Sequence, residues 1–133
     1  MGRVLAFDYG STRIGVAISD PLRIVASPIE VIPTAGAEEH VKRLVDTYEP
    51  DVVVVGLPVS LSGGEGPAAE AARRFGAEVV RLTGLEVEFV DERFSTHTAE
   101  QAMLEGGVKR RDRRAGVDKV AAAVILRQFL ERR

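Results

Sequence analysis

Three carboxylates and one run of cations carry the chemistry available to this chain of 133 residues. Asp8 closes the apolar run Val4–Phe7, where another hydrophobic residue would be expected. A carboxylate on a core strand is costly unless something pairs with it, and a metal ion would. The alternative is a turn cap, with Asp8 accepting from the amides of Gly10 or Ser11. Glu92 stands at the charged end of a second strand-like run, Glu86–Arg93. Asp118 begins a helix expected from about Gly116 to Leu130, and Asp118, Ala121, Ala122, Ile125 and Phe129 share one of its faces.

If those strand ends and that helix start converge, the three carboxylates repel one another unless cations neutralise them. Hard oxygen donors suit Mg²⁺ or Mn²⁺. Two such ions about 3.5–4 Å apart activate a water and stabilise the leaving oxygen of a phosphodiester. Asp91 competes with Glu92, but on a strand the two point to opposite faces, so only one belongs. Neither His40 nor His97 has an evident serine or cysteine partner. His97 lies near Glu92 in sequence and either assists the chemistry or contacts solvent; His40 is given no role.

Lys109-Arg110-Arg111-Asp112-Arg113-Arg114 holds five basic residues in six positions, in a chain whose net charge is -2. A local patch of this kind can hold the phosphates flanking a cleavage site, or it is a solvated loop before the last helix. The expected nucleic-acid-binding set is Lys109, Arg110, Arg111, Arg113 and Arg114, with Arg93 and Thr12.

Several elements must position these residues. Val4–Phe7 and Ile14–Ile18 read as buried strands around a short loop rich in glycine and hydroxyl side chains. Ile24–Ile32, broken by Pro28, suits an edge strand. A helix follows from Gly36 to about Tyr48. The run Val52–Val55 then marks a fully buried strand, parallel to its neighbour across a helical crossover. Val59–Gly66 is a glycine-rich loop that matches neither the phosphate-binding loop nor the dinucleotide fingerprint. Pro67 to about Leu82 reads as a second helix with Ala68, Ala71, Ala72, Phe75 and Val79 inward. A further helix is expected over His97–Glu105.

Composition sets outer limits. With 45% hydrophobic residues and alternating strand and helix patterns, the chain reads as one α/β domain. It has no cysteine, which removes disulfides and thiolate chemistry. No segment approaches the roughly 20 apolar residues of a membrane span. Asp8 and Arg13 interrupt any secretory leader, so a cytoplasmic location is expected.

Taken together, Phe7-Asp8-Tyr9-Gly10 with Ile14-Gly15-Val16-Ala17, Val55-Gly56-Leu57-Pro58, Asp91-Glu92-Arg93-Phe94-Ser95-Thr96 and Asp118-Lys119-Val120-Ala121-Ala122 resemble the signatures of the YqgF family. These are RuvX-type Holliday junction resolvases and pre-16S rRNA nucleases of the RNase H-like superfamily. The match runs in order from residue 3 to about residue 130. The resemblance implies a five-stranded mixed sheet flanked by helices, first three strands antiparallel, in one domain over residues 1–133. It also implies a metal-dependent cytoplasmic nuclease in 5′-end maturation of pre-16S rRNA, or a resolvase of branched DNA. By motif, Asp8, Glu92 and Asp118 take the family's catalytic and metal-binding positions. The related RuvC resolvases use four acids, whereas three residues after Asp118 this chain has Ala121. Two other classes stay open: a non-catalytic RNA-binding module of ribosome assembly, and an actin-like ATP-binding fold. The expected partner is nucleic acid and not a membrane; monomer and homodimer both remain open.

Overall fold

The computed structural model describes residues 2–58, 64–91 and 110–132, with the side chains of 110–118 outside the description. Its elements run β1 (Val4–Asp8), β2 (Arg13–Ser19), β3 (Ala26–Pro33), α1 (Ala37–Tyr48), β4 (Val52–Leu57), α2 (Pro67–Thr83), β5 (Glu86–Asp91) and α3 (Arg110–Glu131). The five strands form one sheet in the order β3-β2-β1-β4-β5. β1, β2 and β3 pair antiparallel, while β1–β4 and β4–β5 pair parallel across helical crossovers.

Two apolar layers follow from strand alternation, because successive side chains point to opposite faces. Leu5, Phe7, Val53, Val55 and Leu57 pack under α1 and α2. Val4, Ala6, Ala17, Val52, Val54 and Val90 pack under α3. β1 and β4 are therefore apolar on both faces, as a central parallel strand must be. Small Ala121, Ala122 and Ala123 are buried against the sheet and let α3 lie close across it.

β3 is an edge strand, as Pro28 suggests. Glu30 opposes Val16 and Pro28 opposes Ala17, so Ile29 is the extra residue of a bulge. That bulge accommodates the missing amide of proline without breaking the ladder. At the other end of the hairpin, the buried Ser19 hydroxyl accepts from the Val4 amide at 2.8 Å and donates to the Asp20 carbonyl at 3.0 Å. α1 and α2 both end on a left-handed residue, Glu49 and Gly84, whose amides bond back to Val45 and Val80.

Three expectations need correction. The last helix starts at Arg110, not near Gly116, so Arg110–Arg114 lies within helix and not in a loop before it. Arginine is a good helix former, and one interior glycine costs only about 1 kcal/mol. Asp118 consequently stands two turns inside α3 and does not begin it. On α2 the inward residue of the first turn is Ala69, with Ala68 exposed, because the face is fixed by Ala72, Gly76 and Val79. The expected helix over 97–105, with His97, lies outside the described residues, as do 59–63 of the glycine-rich loop. His40 is half-exposed beside Arg43, in keeping with a surface residue.

Candidate nuclease site at the edge of the sheet

β1, β4 and β5 are mutually parallel, so their C-terminal ends reach the same edge of the sheet. Phe7, Val55 and Phe89 stand in one row across these strands. One residue further, Asp8 takes the row of Gly56 and Val90. With strands about 4.8 Å apart, Asp8 and Val90 are roughly 10 Å apart at Cα. On its other side Asp8 pairs with Gly15 of β2. Because Ala6 and Val90 face α3, the half-buried Asp8 carboxylate faces α3 as well. Both residues flanking it in its row are glycines. The sequence motifs contain these glycines, yet only the strand register shows that they bracket Asp8.

The loop after Asp8 is held firmly. Thr34 donates its hydroxyl to the Gly10 carbonyl at 2.6 Å and its amide to the Thr12 carbonyl at 3.0 Å. A Cβ at Gly10 would stand 2.5 Å from the Arg13 carbonyl oxygen, so this turn needs glycine. Thr12 is exposed on the loop. Tyr9, the residue after Asp8, turns to the opposite face and packs on Phe75, ring centroids 5.0 Å apart.

Asp91 ends β5 in register with Leu57, which faces α1 and α2. Asp91 is exposed there, on the face away from Asp8. It lines a groove of about 950 Å³ beside β5 with Arg73, Phe89 and Gln128. Arg73 lies 5.2 Å from the Phe89 ring centroid and forms two 2.8 Å hydrogen bonds to Glu65. That pairing holds the Glu65 carboxyl below its usual range and raises the Arg73 guanidinium.

Of the residues expected to do chemistry, Asp8 and Thr12 are therefore placed at one edge. Glu92, Arg93 and Lys109 lie outside the described residues. Asp118, Arg110, Arg111, Arg113 and Arg114 are described as backbone positions of α3. Position 118 is one turn before the buried Ala121 and Ala122. Among the described residues no group of three or more His, Cys, Asp or Glu could hold a metal ion. The one described donor, a half-buried carboxylate between two glycines, has the hard oxygen chemistry that Mg²⁺ or Mn²⁺ requires.

Sheet order, strand directions and helices on both faces define an RNase H-like fold. Two solved structures of RuvC share it. Thermus thermophilus RuvC with a Holliday junction substrate matches at TM-score 0.63 and 15% identity, covering 99% of this chain and 96% of that one. A second Thermus thermophilus RuvC structure matches at TM-score 0.58 and 17% identity, covering 98% and 95%.

Within that class, the chain belongs to the RuvX family of Holliday junction resolvases, whose pattern it matches over residues 2–132. A protein of Streptomyces coelicolor named "Putative pre-16S rRNA nuclease" is 48% identical over 134 residues, covering 98% of this chain and 80% of that protein. Proteins of the same name from Roseiflexus and from Dictyoglomus thermophilum are each 42% identical, covering 94% and 95% of those proteins. No helix of the described residues is long and apolar enough to cross a membrane.

Proposed function

We propose that this protein is a divalent-metal-dependent nuclease that hydrolyses phosphodiester bonds in 5′-end maturation of pre-16S rRNA, acting as a single domain. The observation that carries the proposal is the placement of Asp8: end of β1, α3 face, glycine on either side. Asp8, Glu92 and Asp118 are the catalytic and metal-binding residues in this reading. Strand register counts against Asp91, which shares a face with Leu57 and not with Asp8. Position 118 stands one helical turn before Ala122, which is seated on the face of Asp8.

A bound Mg²⁺ or Mn²⁺ would supply an activated water and charge stabilisation for the leaving oxygen. The chain itself supplies carboxylate ligands and cations for the substrate. Lys109, Arg110, Arg111, Arg113, Arg114, Arg93 and Thr12 hold flanking phosphates. The names of the relatives favour precursor rRNA as substrate. The family's own description favours branched DNA as the second reading.

The test offers the protein a precursor rRNA 5′ end and a four-way DNA junction, in Mg²⁺, Mn²⁺ or EDTA. Cleavage should require the metal, favour the RNA, and fall by orders of magnitude in Asp8→Asn, Glu92→Gln and Asp118→Asn. Asp91→Asn should cleave normally. Full activity in EDTA, or in all three acidic variants, would place the chemistry elsewhere.

A further inference from the structure

On the face of the sheet opposite to Asp8, a cleft of about 460 Å³ opens between the start of α1 and the middle of α2. Its lining includes Tyr9, Phe75, Glu38, Glu39, Glu78 and Arg74. Tyr9 joins the cleft to the candidate catalytic edge: it follows Asp8 directly and, by strand alternation, turns the other way. The cleft and the candidate catalytic edge thus adjoin at the end of β1.

The cleft's chemistry selects what can enter. Tyr9 and Phe75 provide an aromatic wall, and bases of single-stranded nucleic acid stack on such walls. The wall is fixed in place, because Thr34 clamps the loop that follows Tyr9. The rim carries three carboxylates against one arginine, which disfavours phosphate and favours hydrogen-bond donors. Glu78 is engaged by Arg81, while Glu38 stands 4.0 Å from that same arginine and Glu39 4.0 Å from Lys42. Glu38 and Glu39 thus keep lone pairs for a ligand. One carboxylate accepts best from two adjacent donors. Guanine offers N1–H beside its 2-amino group, whereas adenine and cytosine put a ring acceptor next to their amino group.

We infer that this cleft holds an unpaired guanine base next to the phosphate that is cut. The inference rests on the nuclease reading for its substrate, while the binding it describes can be measured without cleavage.

The full chain in EDTA is titrated with guanosine, inosine and adenosine 5′-monophosphates, following backbone amide shifts by NMR. The guanosine nucleotide should shift Tyr9, Thr34 and Gly36 and bind about tenfold more tightly than inosine, which lacks the 2-amino group. Glu38→Gln together with Glu39→Gln, exposed changes in the first turn of α1, should erase that preference. Tyr9→Leu should weaken both nucleotides alike. Equal binding of all three, or shifts confined to other residues, would overturn the inference. Guanosine binding at Tyr9 in a chain that cleaves neither RNA nor DNA would support the guanine cleft and sink the nuclease reading, and with it the place beside a cut phosphate. Cleavage with no guanosine binding at the cleft would leave the nuclease and sink the guanine site.

Discussion

At the scale of single residues, polar side chains decide how sharply this chain turns. Asp20 accepts from the amides of Ile24 and Val25, both at 2.8 Å, and so shapes the β2–β3 connection. The Val25 amide, followed by that of Ile24, holds the Asp20 carboxyl below its usual value. A depressed folded-state value means stability that is present above the unfolded value near 4 and lost as pH falls through the folded one. Asp20→Asn should therefore melt below wild type at pH 7, and the gap should close as the pH is taken below about 4. A gap that stays constant to pH 3 would mean the carboxylate charge contributes nothing to the turn.

At the scale of elements, close approach is the recurring device. Gly76 lets α2 rest on β5, where an added Cβ would stand 2.5 Å from Phe89 Cζ and 2.9 Å from its Cε1. Alanine is the better helix former by about 1 kcal/mol, but overpacking costs about 1–3 kcal/mol. To make room the Phe89 ring must swing toward the groove beside β5 and give up its contacts with α2 and Arg73. Gly76→Ala should thus lower stability in urea unfolding by about 1 kcal/mol; a gain would show that the ring moves freely. For α3 the helical placement of Arg110–Arg114 sharpens a second prediction. Four arginines in the first turns oppose the helix dipole, so alanine there should leave the melting temperature unchanged or raised. The same replacements should weaken nucleic-acid binding and flatten log affinity against log salt by about 0.7–0.9 for each phosphate no longer neutralised. An unaltered salt slope would return these arginines to a purely solvated role.

Across the whole molecule, the proposed site joins parts distant in sequence, so its acids should cost stability until a cation arrives. An ion that binds only the folded chain adds about 2.7 kcal/mol at 100 times its dissociation constant. At about 2–8 °C per kcal/mol, the melting temperature should rise by several degrees in Mn²⁺. Asp118→Asn should be at least as stable as wild type in EDTA and should lose much of that rise. An equal rise in both proteins would put the ion elsewhere. A large loss of stability in EDTA would make Asp118 a structural residue of α3.

The division between sequence and tertiary structure follows from the range of the forces involved. Local patterns alone determined the strand at 52–57, the edge character of β3 and the extents of α1 and α2, because valine runs, Pro28, Pro50 and Gly84 act over a few residues. They also carried Asp8, an acid where a core residue belongs. The start of α3 escaped them, since a charged run reads alike as loop or exposed helix until packing decides. Neither could local pattern tell that Gly15 and Gly56 flank Asp8, or that Asp8 and Asp91 face opposite sides. Those relations exist only across strands, where hydrogen-bond register brings together residues tens of positions apart. Register itself is set by burying two apolar faces at once, and that is a property of the assembled sheet.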